Sequence, residues 1–154
     1  MNSCDNLCTV KIHTDKIEAG PPHALSRLDV RLIFETVPPD WTKAIKEVRI
    51  ANSLDRYSHT FFARYDGCLT IYSRNRTKAQ ALAAVLSELA AISMHLDRGL
   101  KYRSKSVRNR LEKMTAAYLQ QLLPLLAPPC QFNGNVGLRG FRELQFPLVP
   151  NDIE

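Results

Sequence analysis

The chain has 154 residues, 45% apolar and 23% charged, the balance of a folded domain with enough length to bury a core unaided. No run reaches the ~18 apolar residues of a membrane span, so no transmembrane helix is expected. The net charge is +6, and the excess is local: from Arg98 to Lys113 seven basic residues face the one acid Glu112, while elsewhere the two signs balance.

In chain order, residues 7–13 form one expected strand, followed by a loop at Gly20-Pro21-Pro22. Residues 28–37 read as a second strand, because Leu28, Val30, Leu32 and Phe34 alternate with Asp29, Arg31, Ile33 and Glu35. Pro38-Pro39-Asp40 ends it and opens a short helix through Trp41, Ala44 and Ile45, proline being tolerated in a first turn. Three more alternating runs follow at residues 47–52, 59–65 and 68–73. Asp66-Gly67 joins the last two and predicts a hairpin, since both residue types accept positive φ.

Thr77 opens a long helix, with Gln80 at capping-box spacing. Leu82, Val85, Leu86, Leu89, Ile92 and Leu96 share one face and alanines fill the others, the pattern of a central, closely packed helix that should end near Gly99. Ser104 or Ser106 is placed to cap a last helix, whose apolar stripe is Val107, Leu111, Met114, Tyr118, Leu122 and Leu125. Beyond Pro128-Pro129, glycine and proline break any period, predicting an extended tail whose Leu138, Phe141, Leu144, Phe146 and Leu148 should dock on the domain or a partner.

The expected fold is α+β: a mostly antiparallel sheet of about four strands, packed against two long helices, with an extended C-terminal tail. The chain reads as one domain, with an N-terminal strand and loop at 1–26, a core at 28–126 and the tail at 127–154. The first residues, Met-Asn-Ser-Cys-Asp-Asn-Leu-Cys, lack the basic and apolar regions of a secretory signal, so a cytoplasmic location is expected. Thiols are reduced there, and Cys4, Cys8, Cys68 and Cys130 do not suggest a disulfide framework. Cys4 and Cys8 lack the second pair that a zinc site needs, and Cys68 and Cys130 read as single buried cysteines.

From Pro38 to Leu125 the order is helix, strand, strand, hairpin strand, long helix, second helix. That order resembles the minimal core of the zinc metallopeptidases called zincins, over about 90 residues. In that family the long helix carries H-E-x-x-H, in which two histidines bind zinc and the glutamate acts as general base. The phrase A-V-L-S-E-L-A-A-I here keeps the glutamate as Glu88, but Ser87 and Ala91 stand where the histidines belong and cannot hold the metal. His95 lies about 10 Å further along the helix axis, too far to share a metal with Glu88. The resemblance therefore implies a vestigial site at Glu88 and His95, with no catalytic residue, no metal and no cofactor.

Phosphate-cradling glycine loops and the G-x-S-x-G elbow are absent, and His13, His23, His59 and His95 lie scattered. The remaining signal is Arg98, Lys101, Arg103, Lys105, Arg108 and Arg110, whose clustering suits a polyanion; Arg74, Arg76 and Lys78 could extend it. The sequence thus favours a non-catalytic binding or regulatory domain, a protein-interaction adaptor of degenerate zincin type that meets a protein partner or itself. A basic nucleic-acid-binding module using the Arg98 to Lys113 segment is the alternative. A hydrolase with an unrecognised site comes third.

Overall fold

The computed structural model describes residues 10–55, 59–96 and 104–126. The elements are β1 (Lys11–Thr14), α1 (Arg27–Thr36), a 3₁₀ turn (Pro39–Trp41), β2 (Glu47–Ala51), β3 (Phe61–Ala63), β4 (Cys68–Tyr72), α2 (Lys78–Ser93), α3 (Lys105–Leu122) and a closing 3₁₀ turn (Leu123–Leu125). The fold is α+β, with one four-stranded sheet in the order β1-β2-β4-β3.

The sheet is mixed, not mostly antiparallel. β1 runs parallel to β2, β2 parallel to β4, and only the β3–β4 hairpin is antiparallel. The cause is the segment expected to be a strand at residues 28–37. It is helix α1, and a helix between β1 and β2 returns the chain to the same end of the sheet, which makes the two strands parallel. Its apolar residues satisfy both periods. Val30, Ile33, Phe34 and Val37 lie at i, i+3, i+4 and i+7 and are all buried, whereas Leu28, which completed the alternation, is 76% exposed. The start is set by a capping box: Ser26 Oγ accepts the Asp29 amide at 3.1 Å and Asp29 Oδ2 accepts the Ser26 amide at 3.0 Å.

The expected hairpin is present, with Phe61 opposite Thr70, Phe62 opposite Leu69 and Ala63 opposite Cys68. Its loop is four residues, and only Gly67 has positive φ, at 71°. The Asp66 carboxylate accepts the Cys68 amide at 3.0 Å, closing the turn through a side chain. The short helix expected through Ile45 is shorter, a single 3₁₀ turn over Pro39–Trp41.

Among the described residues three helices, of 10, 16 and 18 residues, stand where two long ones were expected. α2 starts as its sequence predicts, with Thr77 and Gln80 exchanging both capping-box bonds. It is buried on nearly every side, at Leu82, Val85, Leu86, Leu89, Ala90 and Ala91 among others, because the sheet lies on one flank and α3 on the other. α2 ends at Ser93, before Gly99: the amide of His95 donates to Ile92 O and that of Leu96 to Ala91 O, both at 3.0 Å, the paired bonds of a Schellman close. His95 stands at the left-handed position, φ 60°, where glycine is usual. Trp41 meets Tyr118 edge to face at 5.2 Å, joining the first 3₁₀ turn to α3.

The core-facing side of the sheet is Ile12, Val48, Ile50, Phe62, Leu69 and Ile71, all buried. The opposite side carries Lys11, His13, Glu47, Arg49, Cys68, Thr70, Tyr72 and Phe61, all exposed or half-buried. Among the described residues no helix is long and apolar enough to cross a membrane. The expected C-terminal tail, and Cys4, Cys8 and Cys130, lie outside the described residues.

Candidate functional site

Glu88 sits in the second half of α2, 6% exposed, beneath the edge strand β3. Its Oε2 accepts the Phe62 amide at 3.1 Å. A carboxylate on a helix thus serves a backbone donor of the outermost strand, and a donor buried there needs such a partner. Around it, Thr60 is buried with its Oγ1 unpartnered among the described residues, and Arg64 stacks over the Phe62 ring at 5.7 Å.

Of the two positions that would carry histidines in the zincin pattern, Ser87 is half-buried and Ala91 is fully buried in the core. Their chemistry supplies no metal ligand. Among the described residues no group of three or more His, Cys, Asp or Glu side chains is arranged to hold a metal ion. His95 lies past the end of α2, exposed, and closes the helix through its backbone. Glu88 and His95 are therefore placed on different surroundings, one under the sheet edge and one in solvent.

The basic segment divides. Arg98, Lys101 and Arg103 lie outside the described residues. Lys105 and Arg110 are exposed on α3, and Arg108 is half-buried, its Nε buried and unpartnered among the described residues. Ser104 is the N-cap, its Oγ accepting the Val107 amide at 3.2 Å. Arg74, Arg76 and Lys78 do not extend the patch, because each is already committed. Arg74, 7% exposed, donates to Pro21 O at 2.8 Å, Asn52 O at 2.8 Å and Ala19 O at 2.7 Å. Arg76 donates to Tyr72 O at 2.7 Å. Lys78 Nζ bonds Asp29 Oδ2 and Ala24 O, each at 2.7 Å, in a buried pair that ties the start of α2 to the cap of α1.

Arg74 anchors a strap, residues 15–25, across the carboxyl ends of the three parallel strands. The strap's tight turn is Gly20, at φ 97°, where a Cβ would come within 2.9 Å of Arg74 Nη2. Asp15 holds the strap's other end. It accepts Arg49 Nη2 at 2.9 Å and the Asn52 amide at 3.2 Å, and the Arg49 guanidinium holds its carboxyl below the usual range. His23 Nε2 bonds Asp15 O at 2.9 Å, and its Nδ1 is buried and unpartnered among the described residues. Cys68 is half-buried, and burial pushes its thiol up, away from the reactive thiolate. Sequence reasoning missed the Arg74 and Asp15 networks. The one local signal was the Gly20-Pro21-Pro22 turn, which marks a loop without naming what it wraps.

No family model matches the chain, and comparisons with curated proteins and with solved structures return no match.

Proposed function

We propose that the chain is a non-catalytic, cytoplasmic binding domain of degenerate zincin type, an adaptor acting through contact with a protein partner or a second copy. The observation that carries this reading is the bond between Glu88 and the Phe62 amide. A general base must reach a water or substrate proton. Glu88 instead spends its carboxylate on the edge of its own sheet, flanked by a serine and an alanine that cannot ligate metal. The element order from Pro39 onward, turn, β2, β3, β4, α2, α3, is the one on which the resemblance rests.

The hairpin is the surface offered for contact. β3 is an edge strand, Phe61 is 44% exposed and Tyr65 at the turn is 90% exposed. Exposed aromatics on an edge hairpin favour protein association, since aromatic anchors dominate interface energies.

Two measurements test the reading. Turnover of a quenched peptide library in the presence of zinc, abolished by Glu88→Gln, would overturn it. Cross-linked complexes formed by the wild type should be lost in a Phe61→Asp/Tyr65→Asp variant of unchanged fold. Equal yields from both proteins would remove the hairpin from the account.

A further inference from the structure

The exposed side of α3 carries positive charge that no ion pair answers among the described residues. On a helix, residues four apart stand above one another. Lys105, Asn109 and Lys113 form one such row, and Ser106 and Arg110 the row beside it; all five are exposed. Arg108 borders them on the half-buried flank. Glu112 is the only acid in this half of the helix, and none of the four cations has an ion-pair partner among the described residues.

Their placement opposes the usual electrostatics of a helix. The first turn of α3 holds no acid, and Lys105 and Arg108 stand at the end where the backbone dipole is already positive. Elsewhere some charges are paired, Asp15 with Arg49, Asp29 with Lys78 and Asp40 with Lys43, while the other unpaired cations, such as Lys11, Lys16, Arg27, Arg31 and Lys46, are not gathered on one exposed helix side as these are. A cluster left unanswered, at the positive end of a helix, gains most from an external anion. The second half of the same side, Ala116, Ala117, Gln120 and Gln121, is neutral and exposed, so the positive surface is confined to the first three turns.

We infer that this side of α3 binds the phosphate backbone of a nucleic acid, with Lys105, Arg108, Arg110 and Lys113 neutralising phosphates and Asn109 and Ser106 donating hydrogen bonds between them. The row from Lys105 to Lys113 is about 12 Å long, from 1.5 Å per residue, which spans two or more phosphates of one strand. The absence of a large apolar side chain among its exposed residues argues against a membrane surface, where a helix buries apolar groups between its cations. All contacts are to the backbone, so binding is independent of base sequence.

The test is fluorescence anisotropy of the full chain with labelled single- and double-stranded oligonucleotides of mixed sequence, at several salt concentrations from 25 to 200 mM, chosen as about the range over which counterion release is read. The wild type should bind with an affinity that falls steeply as salt rises. A Lys105→Ala/Arg110→Ala/Lys113→Ala variant should show a logarithmic salt slope smaller by about 2–3, and about 10²-fold weaker binding at 0.1 M salt. All three side chains are exposed, so circular dichroism and thermal midpoint should not change. A Lys11→Ala/Lys43→Ala variant, altered away from α3, should bind like the wild type. Absence of wild-type binding at the lowest salt would overturn the inference, as would a triple variant with the wild-type slope. So would binding to phosphatidylserine vesicles in place of either oligonucleotide.

Discussion

Replacing Glu88 tests whether its carboxylate is structural. Glu88→Ala deletes the acceptor of the Phe62 amide, a 3.1 Å bond in a buried setting. Hydrogen bonds to a charged group contribute about 1.5–3 kcal/mol, and the lost methylene adds about 0.8 kcal/mol. Relief of the buried charge offsets part of this, so a net loss of about 2–3 kcal/mol is expected. Glu88→Gln keeps the shape and an acceptor oxygen and loses only the charge, so its cost should be near 1 kcal/mol. Alanine must cost more than glutamine. Urea titrations at neutral pH give both values, with an unchanged m confirming that only stability moved. Hydrogen exchange at the Phe62 amide gives a local readout, with protection reduced in the alanine variant. If both substitutions cost under about 0.5 kcal/mol, or the alanine variant is the more stable, Glu88 does not pin the edge strand and the non-catalytic reading loses its main support.

Leu89→Ala, at a fully buried position in α2, should cost about 2–5 kcal/mol in a denaturant titration, and a negligible change would contradict the central placement of that helix. His95→Gly should raise stability by about 0.5–1 kcal/mol, because the residue sits at φ 60° in a helix close that glycine adopts without strain; a lower urea midpoint would refute this. Asp15 has a lowered pKa, so its contribution is complete above the ordinary aspartate value of about 3.9 and is lost as pH falls through its depressed folded-state value. The stability gap between wild type and Asp15→Asn should therefore be constant near neutrality and close below about pH 3.9, and a gap that persists in strong acid would exclude the Arg49 pairing as its source.

Several local features were legible from neighbouring residues alone. Thr77 with Gln80 specified where α2 begins, Ser104 proved the cap of α3 out of the two candidates Ser104 and Ser106, and Asp66-Gly67 turned the β3–β4 hairpin, because capping and turn formation depend on side chains within about four positions of one another. The nearly all-round apolar surface of α2 announced a helix with neighbours on both sides. Residues 28–37 were not decided locally. Val30 and Phe34 belong to both the period of two and the helical period, and burial of Ile33 with exposure of Leu28 chose between them.

Strand direction was beyond the sequence for a related reason. Alternation in β1, β2 and β4 is the same whether their neighbours run parallel or antiparallel, so the mixed sheet followed only once α1 was seen to cross between β1 and β2. The roles of Glu88 and Arg74 also came from tertiary structure. Glu88 meets an amide 26 positions away, and Arg74 meets carbonyls 22 to 55 positions away, so no local pattern could reveal either. The sequence by itself determined where α2 begins and where the β3–β4 hairpin turns. The tertiary structure decided which distant backbone groups remained to be satisfied, and thereby which charges became structural and which stayed on the surface of α3.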